Sequence, residues 1–369
     1  MRKRITWLAC AMLLCALLIA PPAAQTALAS GTGVAKIGDT TYPTLEEAVN
    51  AAPDSEPVTI TLLTDATGDG IKVEAPKNIT FDLGRHTYNV DGTVGSTGTE
   101  TNGFQLLKGS TVVFKNGTIT SDKAKILIQN YSDLTLENVV LDGRYLDDSR
   151  PYTLSLNNGT VNITGNTSIL AKANGGVAFD LYYWPDGGYP DGVQVTVNTT
   201  GTISGPIELS QDGTAAAANP NRLTIQNINH EGTINFLGDY DTDVVSISGG
   251  TFASPPTKYT GATVVSSGGD YYVGAQANTV LSNPNTEEVT VLQANGALTV
   301  ADGIHLTNRT GSTITVNGNS LNDNGTIVIH TASTPPKTGD SADPLLWSML
   351  LLAAFGAALL CMKLRKRFC

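Results

Sequence analysis

One short frame recurs through the middle of this chain: an apolar residue, any residue, a second apolar residue, any residue, then a turn former. It reads Val112-x-Phe114-x-Asn116, Leu134-x-Leu136-x-Asn138, Leu223-x-Ile225-x-Asn227 and Val245-x-Ile247-x-Gly249. Three positions further on stand Ile119, Leu141, His230 and Phe252. Val161-x-Ile163-x-Gly165 and Val195-x-Val197-x-Thr199 fit the first half, and Ile79-x-Phe81-x-Leu83 opens the series. Successive frames start 33, 22, 27, 34, 28 and 22 residues apart. Alternation with period two is the pattern of a strand, and self-similarity at such intervals marks a stacked repeat. One repeat has too few apolar residues to close its own core, so stacking must bury Val on Val and Ile on Ile. The frame therefore predicts an all-β, right-handed parallel β-helix, with intervals of 22 as bare turns and longer ones as turns carrying loops. The hand follows the crossover rule for parallel strands. Asn116 and Asn138 are expected to form an internal ladder of amides at one corner, and Gly249 to serve the same corner through its free φ. A β-sandwich is the alternative; the repeated frame argues against it.

Helical periodicity is nearly absent. One helix is expected over Thr44–Ala52, ended by Pro53. Thr44 is an N-cap with Glu47 three residues on, and Leu45, Ala48, Val49 and Ala52 form an apolar stripe. Tyr42–Ala52, a strand at Val58–Leu63, and then the repeats resemble the pectate-lyase-like right-handed β-helix proteins. In that family a short amphipathic helix caps the open N-terminal end of the coil. Ser248-Gly249-Gly250-Thr251-Phe252 is similar to a recurrent rung of wall-anchored surface proteins. The resemblance covers roughly residues 34 to 273 and implies a fold more than a function. From residue 278 the strands shorten (Ala297–Val300, Ile304–Leu306, Thr313–Val316, Thr326–Ile329). They are expected to be terminal coils of the stack, with a small separate β-module as the alternative.

Both ends carry export signals. Arg2, Lys3 and Arg4 precede an apolar run from Trp7 to Ala20, and Ala27-Leu28-Ala29 is a small-x-small site before Ser30. This is the three-part pattern of a signal peptide cleaved after Ala29, residues 1–29. Leu345–Met362 is an uncharged 18-residue run followed by Lys363, Arg365, Lys366 and Arg367. That run is just long enough to span a membrane as a helix, with the basic tail held on the cytoplasmic side. Immediately before it stands Pro335-Pro336-Lys337-Thr338-Gly339. Motif, apolar run and basic tail in this order resemble the cell-wall sorting signal of Gram-positive surface proteins, with Pro335 in place of the usual leucine. The resemblance implies that a sortase cysteine attacks the Thr338 carbonyl, releases Gly339 onward and joins Thr338 to a peptidoglycan amine. The organisation expected is thus 1–29 leader, 30–277 β-helix with its cap, 278–333 terminal coils or module, and 334–369 sorting signal. The membrane is a partner only through the last segment, before sorting.

Residues 30 to 338 hold 15 Lys and Arg against 31 Asp and Glu, a formal charge of −16. Such a body repels nucleic acid. It also repels polyanions unless Ca²⁺ bridges them. Cys10, Cys15, Cys361 and Cys369 all fall in the ends. The exported body therefore has no disulfide, thiol nucleophile or thiolate metal site.

Four places carry candidate chemistry, the weakest being Arg85-His86 beside Asp82, whose plainer reading is a strand end with satisfied hydrogen bonds. Asp142–Arg150 combines Arg144 and Arg150 with Asp147 and Asp148 in a loop leaving a rung, where acid–base work or Ca²⁺ binding can be built. The plainer reading is a solvated loop of mutual ion pairs. Tyr182, Tyr183, Trp184, Asp186, Tyr189 and Asp191 concentrate aromatics in a chain with 6% of them. Their faces stack on sugar rings and their carboxylates accept hydroxyls; the plainer reading is a loop covering a sheet face. Asp239, Asp241 and Asp243 place carboxylates at alternate positions as Ca²⁺ ligands, or simply form an acidic edge. No cofactor is expected, with Ca²⁺ as the alternative that these carboxylates leave open. The expected function is an adhesin-like surface protein binding a glycan or a host or matrix protein, with sortase and peptidoglycan as partners. A wall-tethered polysaccharide lyase or glycoside hydrolase is the runner-up, and a structural spacer the third. The Gly-His-Gly and Arg-x-Lys strings of polygalacturonase-like hydrolases are absent.

Overall fold

The computed structural model describes residues 33–183, 188–189, 191–211, 220–237 and 244–330. The leader with Ala29, the motif Pro335–Gly339, the apolar run behind it, and Trp184, Asp186, Asp239, Asp241 and Asp243 lie outside these residues. No helix among the described residues is long and apolar enough to cross a membrane. The chain divides into two compact units, Met1–Ala277 and Asn278–Cys369.

The first unit is mostly β, built from large parallel sheets, an arrangement compatible with a parallel β-helix. Each repeat but the last contributes three strand segments, and the last contributes two. The first is the recurrent frame itself. Val58, Ile79, Val112, Leu134, Val161, Val195, Leu223 and Val245 pair in one continuous column. Ile60, Phe81, Phe114, Leu136, Ile163, Val197, Ile225 and Ile247 form the next, all buried. The second segment follows the corner, where Tyr88, Ile119, Leu141, Ile169, Ile203, His230 and Phe252 stack in turn. The third lies in a separate sheet, with Ile71, Phe104, Ile128, Leu154, Phe179, Ile207 and Ile234 in register.

His230 is the one imidazole in these columns. It is 2% exposed, and its Nε2 lies 3.1 Å from the Gly205 carbonyl oxygen. Burial pushes its pKa down to about 4. A neutral ring can donate to that carbonyl and still pack edge-on against Phe252.

The corner differs from expectation in an instructive way. Asn116, Asn138 and Gly165 stand opposite one another with φ of 59°, 53° and 66°. Asn is used here because it tolerates the left-handed region. That backbone turn carries the side chain away from the core. Asn116 Nδ2 donates to Asp82 Oδ1, and Asn138 Oδ1 accepts from the Asn166 amide. The two amides form no internal ladder. The buried corner amides are Asn130 and Asn221, both fully enclosed. Asn130 Nδ2 donates to the carbonyls of Ser132 and Asn158, and Asn221 Nδ2 to that of Leu181. At Gly249-Gly250 the left-handed residue is Gly250, φ 128°.

Helix α1, Leu45–Ala51, forms as expected. Thr44 Oγ1 accepts from the Glu47 amide, and Leu45, Ala48 and Val49 are buried. It packs against the antiparallel strands Ala35–Ile37 and Thr40–Tyr42 and the first rung, Pro57–Leu62. At the far end the hairpin Val264–Ser267/Asp270–Val273 pairs antiparallel with Gly250–Phe252. A second helix, α2 (Ala275–Ser282), was not expected, and the division between the units falls within it.

The second unit is of mixed strand direction. Glu288–Gln293 pairs parallel with His305–Asn308, which pairs antiparallel with Thr326–Val328. Ile314–Val316 and Asn319–Leu321 form a hairpin around Asn317-Gly318, φ 46° and 82°. Two consecutive left-handed residues are what a tight hairpin turn requires, and Asn-Gly supplies them.

Phe114 stacks on Phe81 at 4.8 Å and meets Phe104 edge-on at 5.1 Å. Phe114→Ala should therefore destabilise the first unit by about 3–5 kcal/mol, measured as a lowered urea midpoint by circular dichroism.

Candidate functional site

The third segments hold a second pattern, a polar residue between two apolar ones in six of the seven, with Asn130 in the second apolar place at Ile128-Gln129-Asn130. Lys72, Gln105, Gln129, Ser155, Asp180, Glu208 and Asn235 pair in a single row. Their neighbours on either side face the core, so alternation puts this row on the outer face. Within it Gln105 Nε2 and Asn102 Nδ2 both donate to Gln129 Oε1, at 3.1 and 2.9 Å. Asp180 accepts from the Leu156 amide at 3.2 Å and from the Ser155 hydroxyl. Burial drives the Asp180 carboxyl up to about 7 against those hydrogen bonds, with Glu208 on the adjacent strand adding to the rise.

The loop Asp142–Arg150 reaches this face. Arg150 Nη2 donates to both Glu208 oxygens at 2.8 and 2.7 Å, and these bonds hold its pKa above the usual range. Arg144 grips Asp142 through Nε and Nη2, both at 2.8 Å. The two arginines therefore bind different carboxylates. Asp148 accepts from the Arg150 amide, which lowers its pKa, and pairs with Lys125 at 3.5 Å. Asp147 is exposed and makes no ion pair among the described residues. Lys172 Nζ pins the loop from below by donating to the carbonyls of Leu146 and Asp148. A groove of about 700 Å³ opens here, lined by Arg144, Arg150, Lys172, Asn174, Glu208 and Glu231 among others. That volume lies in the range of small-ligand sites.

Tyr189, from the aromatic stretch, lies close to the same face. Tyr189 stacks on Tyr131 at 4.8 Å, with Lys108 Nζ 5.5 Å from its ring centroid. Tyr182 is half-buried, Tyr183 is buried and Asp191 is exposed. Burial pushes the Tyr131 hydroxyl up to about 12, and Tyr189, Asp180 and Tyr182 contribute. Arg150 lies over Tyr152 at 5.9 Å. Asp180 is within electrostatic reach of Tyr131, Arg150, Tyr152 and Glu208. Asn157 Oδ1, at the end of the Ser155 strand, is buried without a hydrogen-bond partner. Among the described residues no group of three or more acidic, His or Cys side chains is placed to hold a metal ion.

No family model, curated protein or solved structure matches the chain.

Sequence reading singled out Arg144, Arg150 and the Tyr182–Asp191 stretch, and did not single out Asp180, Glu208, Tyr131, Tyr145 and Tyr152. The signal for the two carboxylates was present. Phe179-Asp180-Leu181 and Ile207-Glu208-Leu209 each set one charge inside an apolar strand, and a charge so placed must be paired or protonated.

The raised Asp180 pKa has a definite sign in stability. The folded state holds the proton more tightly, so this contribution is complete below about pH 4 and is lost as pH rises through about 7. Asp180→Asn should remove that loss. The stability difference between variant and wild type should shift in the variant's favour by about 4 kcal/mol between pH 4 and pH 8, read from urea denaturation at each pH.

Proposed function

We propose that this chain is a surface-displayed, adhesin-like glycan-binding protein whose body is a right-handed parallel β-helix of the pectate-lyase-like kind. One observation supports the reading: the Asp142–Arg150 loop and the described tyrosines of the aromatic stretch, Tyr182 and Tyr189, come close to one outer sheet face. That face offers tyrosine rings, amide and hydroxyl groups, and arginines already matched by carboxylates. Stacking rings beside fixed polar groups are the equipment of saccharide recognition, and the groove has room for it. A stack of strands presents such a face along its axis, so a polymer can lie across several rungs.

Display rests on the sequence. The leader ending at Ala29, the Pro335–Gly339 motif, the apolar run and the basic tail stand in the order that export and sortase attachment at Thr338 require. Thr338→Ala should move the chain from the wall fraction to the membrane fraction of a Gram-positive host that supplies the sortase, detected by immunoblot of muralytic digests. Equal wall yield from both forms would remove the anchoring reading.

A second reading has one observation in its favour. Asp180 and Glu208 are in-register neighbours on adjacent strands, one holding its proton to about pH 7 and the other paired with Arg150. Carboxyls in unlike environments are the raw material of glycoside hydrolysis. One experiment separates the two. The purified full chain in non-ionic detergent is passed over immobilised polysaccharides, and the eluate is assayed for new reducing ends. Retention without new ends supports binding; new ends that vanish in Asp180→Asn support hydrolysis. No retention on any polymer sinks the glycan reading and leaves a matrix protein as ligand.

A further inference from the structure

Tyr145 is 62% exposed, the most exposed of the large apolar side chains among the described residues. It sits on a loop that has little freedom. The Gly143 amide donates to the Leu170 carbonyl, the Asp147 amide to that of Ala124, and Leu146 is fully buried. Gly143 itself admits no side chain, since a Cβ there would stand 2.1 Å from Thr153 Oγ1. Lys172 holds the carbonyls of Leu146 and Asp148. Arg144, which lines the groove, places its guanidinium 5.6 Å from the Tyr145 ring centroid. That guanidinium is locked by two hydrogen bonds to Asp142, a carboxylate only 11% exposed. The backbone that carries the ring is therefore anchored and a guanidinium flanks the ring on one side, while the ring remains open to solvent. An exposed aromatic whose position is already settled loses little conformational entropy when a ligand stacks on it.

The charge pattern around it selects the ligand. Arg144 is matched by Asp142 and Arg150 by Glu208. Lys172 donates to backbone carbonyls. Asp147 and Glu231 are exposed at the loop and groove. A carboxylated or sulfated polymer finds no unmatched guanidinium here, and the surrounding body is strongly acidic.

We infer that Tyr145 is the stacking platform of a subsite for an uncharged glycan, with Arg144 and Asp142 as the groups that position its ring. This rests on the glycan-binding reading above and adds to it a ligand class and a residue.

The test uses the purified full chain and its Tyr145→Ala, Tyr145→Phe and Tyr145→Trp variants in non-ionic detergent. Each is titrated onto an immobilised glucan, mannan and galactan, onto polygalacturonate and onto a sulfated galactan. Wild type should bind an uncharged polymer more tightly than either anionic one. Tyr145→Ala should weaken that binding by about tenfold or more, while the Phe and Trp variants stay within about threefold of wild type. Preference for an anionic polymer overturns the ligand class. An unchanged Ala variant, or a Phe variant that falls as far as Ala, overturns the stacking role. If Ala lowers the melting temperature, the Phe and Trp variants carry the decision alone. A wild type retained on no polymer overturns the glycan reading itself, whereas a retained wild type with an unaffected Ala variant overturns only this inference.

Discussion

In-register parallel pairing is the constraint on which the first unit depends. It sets each residue beside its counterpart one repeat away, so a column inherits its character from a single position of the frame. Ile60 to Ile247 is apolar at all eight levels. A one-residue slip in any strand would turn its apolar set outward. The same rule works against polar residues. Each outer-row group must accept the neighbour that the register gives it, whether or not that neighbour is electrostatically welcome.

This explains why Asp180 and Glu208 are unlike in their partners. Their strands pair at Asp180–Glu208, and two carboxylates at that distance repel. The repulsion is relieved in two ways at once. Arg150 crosses 58 residues of sequence to take Glu208, while Asp180 retains its proton further up the pH scale, chiefly through burial, with Glu208 adding to the rise. The pair is thus a product of the repeat architecture, which brings side chains together without regard to their separation along the chain. It also brought the loop after Asp142, Tyr182 and Tyr189 close to one face.

The columns were legible because they need only hydrophobicity and period. Ile79-x-Phe81 through Val245-x-Ile247 could be aligned by eye, and the pairing follows that alignment residue for residue. The corner was half legible. Asn was correctly read as a corner residue, but its role was assigned to the amide when it belongs to the backbone, as the positive φ of Asn116 and Asn138 makes plain. The site was less legible still. Arg150 and Tyr189 were singled out by local composition, whereas Asp180 and Glu208 are lone charges in apolar strands. Their meaning comes from being adjacent across a rung, which no local window contains. The Asn317-Gly318 turn is a local device of another kind, two consecutive left-handed residues that close a hairpin without any contribution from the repeat.

The loop at Tyr145 follows from the same architecture. A rung can lengthen between its second and third segments without disturbing the columns, because pairing resumes at Tyr152 wherever the excursion returns. Such an excursion is free to vary in sequence, yet here it is fastened at both ends, by Gly143 to Leu170 and by Lys172 to two of its carbonyls. Fastening a solvent-facing loop costs conformational entropy that the columns do not require. The residue this leaves in the open is an aromatic ring with a guanidinium beside it. Stability of the stack alone gives no reason to hold that ring still; a partner that stacks on it does.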